Sequence, residues 1–360
     1  MTHRPIYSLI TALLLLIALT LTPACSRDKA LPKGAAMYFW RTTLSFDSTE
    51  LKFLKDQDVR RLYIRFFDVV KTNDSPEPNA TLSFPEDVRI PDGVSYVPVV
   101  FITPAVLADL DKSRNTVGFL AEYIPKRVLR MAESQSLPIP DEIQIDCDWT
   151  AGTRQSFFEL MKRLDAGADS LGMKTSVTIR LHQLSSKPPT ADYGVLMVYN
   201  TGDLHHPEKG NPILSRQSIE PYLRYLKGYD LPLVMALPDF SWNVLYAPAE
   251  GGGHKYRAIL YGCDPGSEPD VFRKTAPDTW TAVGSRQYTS AIGNAVGQVL
   301  VTPGMTVRRF TSPPFDELMK IKEALPAERP DIASSVIIYD LNSPNLNTYT
   351  PQQYEKIFSR

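Results

Sequence analysis

Hydrophobic positions along this chain fall into short runs with a period of two, separated by stretches whose apolar residues recur every three to four positions. The strand-like runs are 36–41, 61–69, 94–102, 142–149, 174–182, 193–199, 231–237 and 335–339. The helix-like stretches are 48–57, 116–135, 154–170, 218–227, 314–324 and 351–358, the first of them capped by Ser48. Strands alternating with helices predict a parallel sheet, and eight such strands predict a (β/α)8 TIM barrel. An open doubly wound sheet is the alternative architecture, but no glycine-rich nucleotide loop follows any of the strands. The stretch 291–297 (AIGNAVG) lacks the spacing of such a loop and reads as helical.

The alternation breaks once, between the seventh strand and its helix. Residues 240–311 hold Gly251, Gly252 and Gly253 and strand-like pieces at 256–261, 279–283 and 306–310. An insertion at that place follows a barrel strand, so it is expected over the face where barrel enzymes work.

The first residues follow a different pattern. A short polar start with His3 and Arg4 precedes a mostly apolar run over 9–21, too short for a bilayer span and of a length for an export signal. It ends in Leu21-Thr22-Pro23-Ala24-Cys25, which resembles the lipobox of bacterial lipoproteins. The resemblance implies a signal over 1–24, a lipidated Cys25, a tether over 25–33 and a barrel over 34–360. Ser26 stands where an aspartate would retain a lipoprotein at the inner membrane. The expected location is therefore the bacterial cell envelope, at the outer membrane through the lipid anchor.

Composition narrows the function classes. Lys and Arg number 39 against 40 Asp and Glu, a balance that offers no electrostatic footprint for nucleic acid. With Cys25 taken by lipid, only Cys147 and Cys263 remain, which is no disulfide framework. His182, His205, His206 and His254 have no metal-ligand spacing, so neither a metal nor another cofactor is expected. No G-x-S-x-G elbow occurs. The 30 prolines among 360 residues, about 8% against a usual ~5%, imply many rigid junctions between short elements.

The chemistry is expected at strand ends. In Glu142–Thr150 (EIQIDCDWT), Gln144, Asp146 and Asp148 share one face and Ile143, Ile145 and Cys147 the other. The apolar set suits the helical layer and the polar set the barrel interior, with Asp148 near the working rim. Two inward acids are costly unless hydrogen-bonded or functional, and Arg180 and Ser176 on the next strand could satisfy them structurally. Arg65 is expected to join Arg180 and Asp146 in a buried ion network. Other strand ends bring Trp40 and Arg41, Arg65 and Asp68, Arg180 and His182, Trp242, and Asp340 with Asn342, aromatic and polar groups of the mixture found in ligand clefts or, for the rings, in cores.

The fourth-strand segment resembles the glycoside hydrolase family 18 chitinases, whose motif there is D-x-x-D-x-D-x-E. Asp146, Cys147, Asp148 and Trp149 fit its core, while Ile143 replaces the first aspartate and Thr150 the catalytic glutamate. On the sixth strand Met197-Val198-Tyr199-Asn200 matches the family's M-x-Y-D/N motif, in which tyrosine and Asp/Asn hold the reacting acetamido group. The resemblance implies a chitinase-like barrel that binds a glycan or oligosaccharide. It also implies loss of ordinary catalysis, because a threonine hydroxyl is no proton donor near neutral pH. Two other readings stay open: an active glycosidase using Asp148 with Asp239, and a non-catalytic scaffold that binds another envelope protein through the insertion.

Overall fold

The computed structural model describes residues 30–359 except 74, 111–113, 250 and 293–294. The export signal and Cys25 lie outside the described residues.

Eight strands close on themselves in parallel. They are β1 (Gly34–Phe39), β2 (Arg61–Thr72), β4 (Ser95–Ile102), β5 (Glu142–Cys147), β6 (Lys174–Arg180), β7 (Tyr193–Met197), β8 (Leu233–Pro238) and β16 (Ser335–Tyr339). Each pairs with the next in chain order, and β1 pairs with both β2 and β16, which closes the ring. A short β3 (Ser75–Asn79) runs antiparallel on β2. The predicted (β/α)8 barrel is therefore the fold. Its strands are buried on both faces because both faces of a parallel barrel are covered, and β5 and β6 alternate polar and apolar residues between the two.

Helices occupy the crossovers: α1 (Ser48–Asp56), α2 (Pro104–Leu110), α3 (Arg114–Ser134), α4 (Arg154–Ser170), α5 (Arg216–Leu226), α6 (Phe315–Glu328) and α7 (Pro351–Phe358). The cap of α1 is Asp47 rather than Ser48. Its carboxylate accepts from the Thr49 and Glu50 amides, and Glu50 bonds back to the Asp47 amide. A carboxylate at that position also complements the positive helix start.

Between β8 and α6 lies a second, antiparallel sheet. Its strands are β9 (Ser241–Pro248), β10 (His254–Tyr261), β11 (Phe272–Ala276), β12 (Thr279–Ala282), β13 (Arg286–Ile292), β14 (Ala295–Val301) and β15 (Thr306–Thr311). They pair in the order β11-β12-β15-β9-β10-β13-β14. The stretch read as helical at 291–297 instead falls on the β13–β14 hairpin. The β-branched and aromatic residues Tyr288, Thr289, Ile292, Val296 and Val299 favour strands and outweigh the local helix propensity.

This sheet leans on the barrel through the loop after β7. The Tyr246 hydroxyl donates to the Leu204 carbonyl at 3.0 Å, and Asn211 Nδ2 donates to the Thr311 carbonyl at 2.8 Å. Val244, Tyr246 and Phe310 pack into the barrel's own core, whereas Leu245, Val271, Phe272, Trp280 and Val307 form a separate small core within the sheet.

Candidate functional site

The barrel interior is a ladder of polar side chains rising along β5. Glu142, Gln144 and Asp146 are buried and Asp148 is partly exposed, as the period of two requires. Glu142 accepts from Arg61 at 2.9 Å, Ser176 at 2.6 Å and Tyr193 at 2.5 Å. One step higher, Gln144 accepts from the Tyr38 hydroxyl at 2.7 Å and donates to Ser176 at 3.1 Å. The two steps leave few buried polar groups without partners, as a low-dielectric interior demands.

The third step is the ion cluster. Thr178 donates to Asp146 Oδ1 at 2.6 Å. Arg180 bridges the two acids, with Nη2 at 3.3 Å from Asp146 and Nε at 2.5 Å from Asp148. Burial pushes the Asp146 carboxyl up and the neighbouring Asp148 charge pushes it further, against Arg180 and Thr178. Burial alone would lower the Arg180 guanidinium, but the two carboxylates overcome it and hold it charged.

Placement of the other expected residues divides into two groups. Tyr199, Trp40, Arg65, Arg180 and Trp242 all reach the same rim. Tyr199 is buried, its phenol raised by burial and by Asp146, Asp340 and Asp148, with Arg180 opposing. It stacks on Tyr339 at 5.2 Å, and Trp40 meets Tyr339 at 5.8 Å. Trp242 packs on Phe240 at 5.2 Å, which in turn meets both Tyr199 and Tyr339. Arg65 departs from the expected network: it grips Asp68 with two nitrogens and lies over the Trp40 ring at 5.5 Å. Ser176 likewise serves Glu142 and Gln144 rather than the acid pair. His182 is exposed on a short 3₁₀ turn, its imidazole lowered chiefly by partial burial. Asn200 is exposed in a left-handed conformation at φ 55°.

Asp239 is not brought to Asp148. It is fully buried on the side of α7, where the Tyr354 hydroxyl donates to its Oδ2 at 2.6 Å. Its Oδ1 accepts no hydrogen bond, although the Thr348 hydroxyl favours the charged form. Burial is the largest influence and raises the carboxyl to about 7. The acid therefore faces the helical layer, and its pairing with Asp148 has no geometry behind it.

Thr150 is exposed just beyond β5, its amide bonded to Thr153 Oγ1 at 2.9 Å ahead of α4. Trp149 turns outward and packs between Phe157 and Phe158. Cys147 and Cys263 are both buried free thiols. Among the described residues no group of His, Cys, Asp and Glu is placed to hold a metal.

Two rim residues carry more of the site than their sequence signal indicated. Tyr339 ends β16 on the inward face shared with Ser335 and Ile337, so period-two reading of that run could have found it. Asp340 follows it, partly exposed, accepting from Asn345 Nδ2 at 3.0 Å. Burial raises its carboxyl to about 6, while Arg41 opposes.

No protein-family model and no curated protein matches this sequence. Solved structures do. The class V chitinase from Nicotiana tobaccum has a TM-score of 0.53 at 9% identity, covering 91% of this chain and 99% of that one. The C-terminal domain of a putative chitinase from Desulfitobacterium hafniense DCB-2 has a TM-score of 0.52 at 12% identity, over 91% and 100%. Catalytic domain 2 of the group II chitinase from Ostrinia furnacalis, in complex with an N-acetylchitooligosaccharide, scores 0.50 at 12% identity, over 91% and 95%. At such identities the likeness is one of fold: this chain is built on a (β/α)8 barrel of the kind found in chitinases.

Proposed function

We propose that this protein binds a glycan in the mouth of its barrel and does not cleave it by the family 18 route. The observation that carries this reading is the rim itself. The Asp146–Arg180–Asp148 cluster and the half-buried rings of Trp40, Tyr339 and Trp242 gather at the same end of the barrel, while a threonine stands at position 150. Rings stack on sugar faces, and charged groups fixed in place bond hydroxyls. The Thr150 hydroxyl cannot protonate a leaving oxygen near neutral pH, so the step that cleaves the bond lacks its donor. The glycosidase reading based on Asp148 and Asp239 draws no support from an Asp239 engaged by Tyr354.

The test is a panel of oligosaccharides scored for binding and for release of reducing ends, with wild type and Asp148→Asn side by side. Binding without release is the expected result. Release abolished by Asp148→Asn would restore the enzyme, and no binding to any glycan would leave the scaffold reading through residues 240–311.

The same proposal places the barrel at a bacterial envelope, anchored through Cys25. Its support is the lipobox-like run ending at Ala24-Cys25. Cys25→Ala should move the protein from the membrane to the soluble fraction. Unchanged fractionation would sink the anchor.

A further inference from the structure

The charge balance of the mouth bears on which sugar enters it. Two guanidiniums are already matched one to one, Arg65 by Asp68 and Arg41 by Glu50. Arg180 faces two carboxylates, Asp146 and Asp148. Asp340 stands in no ion pair among the described residues, and the Arg41 that acts on it is bonded to Glu50 and to the Ser45 carbonyl. Five acids thus surround three guanidiniums, an excess of two negative charges. Around the Tyr199 phenol the same imbalance is local, since Asp146, Asp148 and Asp340 act on it against Arg180 alone.

The rings add a second, independent preference. Tyr339 is half-buried, stacks on Tyr199 at an interplanar angle of 29° and meets Trp40 tilted at 59°, with centroids 5.8 Å apart. Aromatic faces carry negative quadrupole charge and attract cations, more strongly where water is partly excluded. The fold already uses this attraction once, in the Arg65 guanidinium lying over Trp40. A neutral N-acetylated unit would leave the excess charge uncompensated, whereas a protonated amine on the same carbon would neutralise half of it.

We infer that the glycan held in this mouth carries free amines: a polymer of the glucosamine type, de-N-acetylated at the unit that reaches Tyr339, with Asp148 and Asp340 as its counter-charges. This rests on the glycan-binding reading above and specifies its ligand. Attraction to a single added positive charge at a partly screened site corresponds to about a tenfold gain in affinity.

The experiment compares the full chain with tetramers of glucosamine and of N-acetylglucosamine, by calorimetry at neutral pH and at low and high salt. The expected result is about tenfold tighter binding of the glucosamine tetramer, with the advantage shrinking in high salt. Asp340→Asn should shrink the ratio of the two affinities toward one, a change of selectivity that loss of folding would not produce. Equal or tighter binding of the N-acetylated tetramer overturns the inference while keeping the glycan reading. Binding of neither tetramer, nor of any other oligosaccharide, overturns both.

Discussion

Arg180 donates from Nε to Asp148 at 2.5 Å, tying the last inward position beyond β5 to the end of β6. The two strands are neighbours in parallel register, with Ile145 opposite Val177, so their inward side chains rise together toward the rim. The bond fixes the most exposed acid of the barrel ladder, while Nη2 of the same guanidinium lies 3.3 Å from the buried Asp146 beneath it. One guanidinium thereby serves stability on its inner side and presents a shaped polar surface on its outer side.

Removing that guanidinium should be costly. Arg180→Met leaves Asp146 buried beside Asp148 without a counter-charge, and breaking a buried pair by deleting one partner costs about 3–5 kcal/mol. Thr178 keeps one hydrogen bond to Asp146 and limits the damage toward the lower end. Urea unfolding at neutral pH measures the loss. Arg180→Lys should recover only part of it, because an ammonium cannot bridge two carboxylates with a planar fork. A loss of under about 1 kcal/mol for Arg180→Met would mean that the acids are already protonated together.

The absence of a proton donor leads to a gain-of-function test. Thr150 is exposed beyond β5, on the same side of the barrel as Asp148, so a longer acidic side chain has room there. Thr150→Glu should give measurable release of reducing ends from an oligosaccharide that wild type binds but leaves intact. General acid catalysis contributes about 10²–10⁴-fold, enough to lift a rate above background. The retained Arg180–Asp148 bond would hold Asp148 away from the new acid, so Arg180→Lys in the same chain should raise the rate further. Silence in both variants would mean that more than the acid is missing.

Packing of the barrel wall gives a prediction free of any assumption about ligand. Gly194 lies on β7, and a methyl group there would meet Leu233 Cδ2 at 2.8 Å, Ile179 Cγ1 at 3.0 Å and Leu231 Cδ2 at 3.1 Å. All three neighbours are core side chains, so none can swing into solvent. Gly194→Ala should destabilise the fold by about 1–3 kcal/mol, the usual cost of overpacking. Gly297→Ala, where a methyl group meets nothing within 4 Å, is the control and should be near neutral. Thermal unfolding of the two variants makes the comparison.

The eight barrel strands were legible because each is a run of local apolar residues bounded by turn chemistry, and burial on both faces exaggerates the signal. The inward set Gln144, Asp146 and Asp148 was legible for the same reason: period two is a property of the strand itself. What joins those side chains was not. Arg65 closes on Asp68, three residues along its own strand, instead of reaching Asp146, and nothing in composition distinguishes the two partners. The orientation of Asp239 is set by Tyr354, 115 residues later in the chain, through a docking of α7 that no local pattern encodes. Tyr339 was missed because a tyrosine ending an apolar strand reads as core, which it partly is.

The misread carboxyl carries the sharpest pH prediction. Asp239 is fully buried, and burial raises its carboxyl from the ordinary 3.8 to about 7. The folded state therefore holds a proton that the unfolded chain releases once the pH passes about 4. Stability contributed by that proton is complete below pH 3.8 and is lost as the pH rises through the window up to about 7. At pH 8 the folded protein must carry a desolvated charge, at a cost of up to about 4 kcal/mol for a shift of this size. Asp239→Asn keeps the acceptor for Tyr354 and removes the charge, so it should be more stable than wild type at pH 8 by an amount within that bound. The advantage should fade as the pH drops toward 4, where the wild-type carboxyl is protonated. Urea unfolding of both proteins at pH 5, 6, 7 and 8 traces the difference curve. A curve that is flat, or that slopes the other way, would falsify the placement of Asp239 beneath α7 as a neutral acid.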